Sequence, residues 1–241
     1  MPKARFERLV DALTARLLLP VGIRLERMRE AIAASSLPRF ATEASGLVIQ
    51  PPFEIRHPDR ISLGRDVKLG PNTVLMPVTH YPGGWLRHPD ERHVSQQFAP
   101  ELHIGDRVTA TAALQITVFE RIDIEDDVMF AANVFVADGT HARERGDVAY
   151  KYQGIGRVAP VRIGRGAWIG QNAVISSGVT IGPMAIVGAN AVVTHDVPAG
   201  CIALGAPARI VRRWDPATER WLRVDEGRER ALGAGQEGAP T

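Results

Sequence analysis

Seven histidines occur in this 241-residue chain, and His141 has the setting in which an imidazole could do chemistry. It stands three residues after Asp138, in "ADGTH", where a regular stretch of sequence gives way to a charged segment. Imidazole has the unperturbed pKa closest to neutrality. It can therefore take the proton of a poorly acidic hydroxyl as that oxygen attacks an electrophile. Asp138, Glu144 and Asp147 are the nearby carboxylates that could orient the ring or bind a substrate's hydroxyls. A second segment, residues 79–101, holds Tyr81, Trp85, His88 and His93. Aromatic rings stack on sugar faces, so Tyr81 and Trp85 suit an acceptor lid, or merely a clasp between subunits. The single cysteine, Cys201, excludes an internal disulfide or a cysteine metal cluster, and it reads as a small core hydrophobe.

The elements that must position these groups follow from a period of six. Ile163, Ile169, Ile175, Ile181, Val187 and Val193 recur at that interval. Four residues after each comes a second small apolar side chain: Ala167, Ala173, Val179, Ala185, Ala191 and Val197. At 45% hydrophobic content, twelve in-phase positions arise by chance in about 1 of 10⁴ trials, so the repeat is real. Glycine often follows the aliphatic residue, as at Gly164, Gly170, Gly182 and Gly188, which suits a corner where a Cβ would clash or φ must be positive. The same phase runs through Leu63, Leu69 and Leu75, then Ile104, Ala110 and Ile116, then Ile124, Phe130 and Val136. The longer step from Ile116 to Ile124 predicts a two-residue bulge near Phe119 to Arg121. Six is too long for an alternating strand and fits no helix. It suits a short strand plus a corner, stacked coil on coil into a parallel β-helix. Residues 79–101 and 142–160 break the phase and are predicted to be loops expelled from the prism, where function tends to sit.

Three zones follow: a helical segment at 1–45, the β-helix at 46–213 and a tail at 214–241. Phe6, Leu9, Val10, Leu13 and Leu17 form a helical stripe. Pro20 and Gly22 interrupt it, and Leu25, Met28 and Ile32 start a second. Residues 1–40 carry eight Lys/Arg against four Asp/Glu. This helix is expected to pack on its own domain or a neighbouring subunit, with contact to an anionic membrane surface as the other reading. The tail is predicted to open with a helical turn around Trp221 and Leu222. No apolar run reaches the roughly 20 residues that cross a bilayer, and no secretory signal pattern is seen at the start. Cytoplasm is the expected compartment, with the inner membrane face as an extension. A net charge of +2 argues against nucleic acid as a partner.

The run "IGRGAWIGQNAVISSGVTIGPMAIVGANAVVTHDVPAGCIALGAPARIVRR" resembles the hexapeptide-repeat acyltransferases, most closely the galactoside, maltose and surface-polysaccharide O-acetyltransferases. The resemblance covers roughly residues 61–213. It implies a left-handed coil of about three hexads per turn, a homotrimer, and acetyl-CoA as acyl donor in grooves between subunits. It implies His141 as general base, after a coil reading "VMFAANVFVADGTH", in direct transfer of an acetyl group to a sugar hydroxyl. The expected setting is bacterial O-antigen, capsule or exopolysaccharide biosynthesis. Trp168, Ala189, Thr194, His195, Arg209 and Arg212 match positions that line the donor groove or contact pantetheine, adenine or phosphates. Arginine suits phosphate because its planar fork makes paired hydrogen bonds. No metal is expected. The sequence departs from the pattern at His195, where relatives often carry lysine, and at Leu114 and Gln115, where some carry an acceptor-binding asparagine.

Other readings share parts of this pattern. An N-acetyltransferase of a nucleotide-linked amino sugar would keep the prism and the base, but usually adds a nucleotide-binding domain, and residues 1–60 show no Gly-rich βαβ signature. A serine acetyltransferase would want a longer helical N-terminal domain. A metal hydratase of the γ-carbonic-anhydrase type needs three converging imidazoles, yet no other histidine lies within ten residues of His141. A non-catalytic scaffold would be marked by loss of the base.

Overall fold

In the computed structural model, residues 36–42, 44–83 and 94–224 are described, with residues 14, 20–25, 28 and 32 before them. The period of six becomes a left-handed parallel β-helix. Each hexad contributes one short strand and one corner, and three hexads close a triangular coil. One face (A) stacks Val48–Ile49, Lys68–Leu69, Thr109–Ala110, Met129–Phe130, Trp168–Ile169, Ile186–Val187 and Cys201–Leu204. Face B stacks Phe53–Ile55, Thr73–Pro77, Gln115–Val118, Phe135–Ala137, Val174–Ile175 and Val192–Val193. Face C stacks Ile61–Leu63, Glu101–Ile104, Arg121–Ile124, Val161–Ile163 and Thr180–Ile181.

Every in-phase aliphatic predicted above points inward and is buried, and Cys201 lies among them. Neighbouring coils adjust to one another in size. Phe130 is fully buried in register with Ala110, whose small side chain makes room for the ring. Of the two reasons for glycine after the aliphatic residue, close approach is the operative one. A Cβ at Gly164 would meet the Pro183 nitrogen at 2.6 Å, and one at Gly170 would meet the Ala189 nitrogen at 2.6 Å. Positive φ falls two residues later, at Asp66, Asn72, Asp127, Asn133, Asn172 and Asn190. Asparagine and aspartate tolerate that region better than other L-residues.

Two edges are regular. The third, between faces B and C, expels both phase-breaking segments. One leaves as an antiparallel pair, His80–Tyr81 with Gln96–Gln97, and the other as Gly139–His141 with Ile155–Val158. The predicted bulge is found at the same edge, as a bend at Phe119 and Glu120 between the strands of faces B and C.

The two ends differ from expectation. Residues 20–25 are helical, Gly22 included, while residues 15–19, where an interruption before Pro20 would show, lie outside the described residues. A proline breaks a helix only where its ring and missing N–H meet a preceding turn, and one glycine costs about 1 kcal/mol. Val21, Ile23, Leu25, Met28 and Ile32 are all exposed, so these residues do not pack on their own prism. The stripe from Phe6 to Leu17 lies outside the described residues. At the other end Trp221 and Leu222 belong to a strand, Arg220–Arg223, not a helical turn. That strand pairs with Arg209–Asp215, which continues face A past the boundary expected at 213. Asp215 closes the turn by accepting from the Ala217 N–H and the Thr218 hydroxyl. Trp214 and Trp221 meet across the pair, ring centroids 5.5 Å apart, a contact an isolated helical turn could not make.

Candidate active site on one edge of the prism

His141 ends the outgoing strand of the second expelled loop, opposite Ile155. Its ring is exposed, and among the described residues it has no hydrogen-bond or ion-pair partner. The contact that orients it is aromatic. The ring of Tyr81 meets it in a T-shaped contact, centroids 5.5 Å apart at an interplanar angle of 72°. Tyr81 is itself held: it is buried, and its hydroxyl donates to the Lys151 carbonyl. Burial pushes its phenol pKa up.

The two expelled loops brace each other. Tyr81, Phe119 and Ile155 form a small core of their own, joined by Val78, Phe98 and Val158. Gln96 makes a two-point clasp on Ile155, its amide donating to the carbonyl at 2.8 Å and accepting from the N–H at 2.6 Å. Between the loops runs a groove of about 650 Å³. Met76, Val78, Phe119 and Ile155 give it apolar walls; His141, Arg56, His57, His80 and Lys151 bring nitrogen to it.

Asp138 does not hold the histidine. Its carboxylate is fully buried and accepts from three consecutive backbone N–H groups: Phe119 at 2.7 Å, Glu120 at 2.8 Å and Arg121 at 2.7 Å. Burial pushes its pKa above the ordinary carboxylate value, while those donors pull the other way. The side chain that sequence proximity assigned to the ring instead fastens the bulge where the groove wall bends. Asp147 is exposed and bound to Arg145 at 2.6 Å, which draws its pKa down. Glu144 is exposed on the same loop. Trp85 lies outside the described residues.

The positions matched to a donor groove do not converge within one chain. Thr194 and His195 sit on the His141 edge, after the face-B strand Val192–Val193, with the Thr194 hydroxyl 2.9 Å from His195 Nδ1. Trp168 stands on the outer side of face A, and Ala189 at the corner between faces A and B. Arg209 and Arg212 lie on the terminal hairpin, Arg209 donating to the Ala208 carbonyl. Leu114 is core and Gln115 faces outward from face B, so neither offers the missing asparagine's amide to the groove.

Sequence reasoning missed Arg56, His57 and His80. The signal was there: His57 follows Ile55 in the phase in which the expelled segments follow Leu75 and Val136. All three aliphatics belong to face B, so what comes next always falls on this edge.

Residues 160–195 match the family model described as bacterial transferase hexapeptide (six repeats). A probable acetyltransferase of Mycobacterium tuberculosis is 33% identical over 130 residues, a match that covers 54% of this chain and 43% of that relative. The aligned region thus spans less than half the length of the curated relative. Among solved structures, a variant of AntD, an N-acyltransferase from Bacillus cereus in complex with dTDP and coenzyme A, superposes with a TM-score of 0.57. It is 17% identical and covers 86% of this chain and 96% of its own. A hexapeptide-repeat-containing acetyltransferase from Vibrio cholerae O1 biovar eltor, complexed with acetyl coenzyme A, gives a TM-score of 0.50. It is 23% identical and covers 79% of this chain and 78% of its own. These likenesses show the fold.

Proposed function

We propose that this chain is an acetyl-CoA-dependent acyltransferase that acetylates a sugar hydroxyl, with His141 as general base. The observation that carries the reading is the exposed imidazole of His141, without a hydrogen-bond partner among the described residues, in a braced groove on the edge that also bears Thr194 and His195. The acceptor enters from the groove side and the thioester from the Thr194 side. The acceptor oxygen attacks the acetyl carbonyl carbon while its proton passes to the imidazole. The tetrahedral oxyanion collapses, the C–S bond breaks, and the imidazolium returns the proton to the departing thiolate as CoA-SH. No covalent acyl-enzyme is needed, and buried Cys201 takes no part. Trp168, Ala189, Arg209 and Arg212 serve the donor across a contact between copies of a homotrimer.

Among the described residues, no three His, Cys, Asp or Glu side chains are grouped as metal ligands, and no helix is long and apolar enough to cross a membrane. A cytoplasmic enzyme that modifies precursors of surface polysaccharide suits this reading, with the exposed apolar residues before Leu37 available to a partner subunit or the inner membrane face. Transfer to an amine is the second reading, supported by the likeness to an N-acyltransferase that binds dTDP.

The test is CoA-thiol release with a panel of neutral, acidic and amino sugars. His141→Ala is expected to lower kcat by at least about 100-fold, the range of a lost general base. Wild-type turnover in that variant would refute the mechanism. Turnover confined to amino sugars would favour the second reading.

A further inference from the structure

We infer that the acceptor of the His141 groove carries an oxyanion group, a phosphate or a carboxylate, received by Arg56, His57 and His80. The inference rests on the acyl-transfer reading for the identity of the groove as an acceptor site; the subsite itself rests on the groove's own residues. Its described lining holds five basic side chains, Arg56, His57, His80, His141 and Lys151, against a single acid, Glu54. Glu54 is already bound to Arg56 Nε at 2.6 Å. That contact uses one edge of the guanidinium and fixes the side chain, leaving the outer N–H groups of the fork for a second oxyanion. In a chain of net charge +2, such a bias within one groove is local, not a reflection of composition.

His57 adds a conformational argument. It is held at φ 46°, ψ 58°, and its Nε2 stands 3.3 Å from the Thr79 hydroxyl. The regular edges fill this left-handed region largely with Gly, Asn and Asp. Arg107, Ala113 and Met184 take it at regular corners as well, and histidine is among the residues enriched there, so the backbone fixes the direction of the ring without itself marking a site. Met76, Val78, Phe119 and Ile155 wall the groove, while Arg56, His57 and His80 stand exposed at its rim, where their N–H groups are open to an incoming oxyanion.

The spacing bears on the acceptor's size. Arg56 and His57 follow Phe53–Ile55, and His141 follows Phe135–Ala137, three strands along face B. At roughly 4.8 Å per strand, the backbone at Arg56 and His57 lies about 14 Å along the face from that at His141, whereas His80 adjoins Tyr81, whose ring packs on His141. The groove therefore admits an anionic group on the reacting sugar or on a unit joined to it, as in an acidic oligosaccharide or a sugar diphosphate.

Titration of the full chain with inorganic pyrophosphate, trigalacturonate and neutral maltotriose, followed by imidazole proton–carbon NMR, tests the subsite without acetyl-CoA. Pyrophosphate or trigalacturonate is expected to shift the His57 and His80 signals saturably and leave His195 in place, with maltotriose causing no shift. Which of the two binds distinguishes phosphate from carboxylate. Arg56→Gln and His57→Asn, the latter compatible with the left-handed backbone, should each weaken that binding at least tenfold. Absence of shifts with both anions, equal shifts with maltotriose, or unchanged affinity in both variants would overturn the inference. Because binding is read directly, its failure is separable from a failure of CoA-thiol release, which would strike the acyl-transfer reading instead.

Discussion

At the scale of single residues, His141 is arranged by a ring and not by a carboxylate. Tyr81 supplies the T-shaped contact, and its own hydroxyl is tied to Lys151. Tyr81→Phe keeps the ring and loses one hydrogen bond, so it should cost about 1 kcal/mol of stability and leave kcat within a few-fold. Tyr81→Ala frees the imidazole and should lower kcat about tenfold or more, since loss of orientation acts on the chemical step. Steady-state kinetics beside thermal melts separate the two effects, and equal kcat in both variants would contradict the orienting role. Asp138 gives the converse expectation. In Asp138→Asn an amide group faces backbone N–H donors that the carboxylate now receives. The expected loss is about 3 kcal/mol of stability, measured by denaturant unfolding, while the pH profile of kcat in the folded protein keeps its shape. A displaced pH profile would return Asp138 to a direct role on the ring.

At the scale of elements, the prism was legible because one hexad makes one strand and one corner, so a single period determined which side chains point inward. The bulge was legible for the same reason, as two surplus residues between Ile116 and Ile124. What a period cannot carry is the destination of a polar side chain. Asp138 reaches back 17 to 19 residues to its three partners, and nothing near it in sequence marks that bend. Tyr81 and His141 meet only because two separate insertions leave the same edge. Coil stacking also sets two expectations for stability. Phe130 fills the room left by Ala110, so Phe130→Ala should cost about 3–5 kcal/mol, as a cavity in a core that cannot close. At the edge between faces C and A, Arg107 bonds Asp127 at 2.7 Å and holds its carboxyl below the usual value. Asp106 is likewise lowered, first by the Arg65 N–H and then by its side chain. A depressed folded pKa stabilises above the unfolded value of about 3.9 and is lost as pH falls through the folded value. Thermal midpoints should therefore fall more steeply below about pH 4 in the wild type than in Asp127→Asn. Parallel curves would show that the pair contributes nothing to stability.

At the scale of the whole molecule, the three faces are unlike. The outward column of face A begins polar at Lys68 and Thr109 and turns apolar through Met129, Trp168, Ile186 and Ile202, and that of face B passes from Glu54, Val74 and Gln115 to Phe135, Val174 and Val192. The column on face C is Ser62, His103, Asp123, Arg162 and Thr180. Met129 and Trp168 remain 46% and 45% exposed in a single chain, side by side on one strand pair. An apolar stripe on a rigid sheet suits burial against another copy, and a heterologous contact closes into a ring when its rotation allows. The same contact would resolve the scatter of the donor positions, because Trp168 cannot reach the His141 edge of its own chain but can face that edge on a neighbour. Sedimentation equilibrium should then give three times the chain's 26.2 kDa. Ile186→Glu combined with Met129→Glu should release folded monomers that retain the β-sheet circular dichroism and lose acyl transfer. A wild-type monomer with full turnover at micromolar concentration would mean that one edge of one chain suffices, and that Trp168 belongs to some other surface.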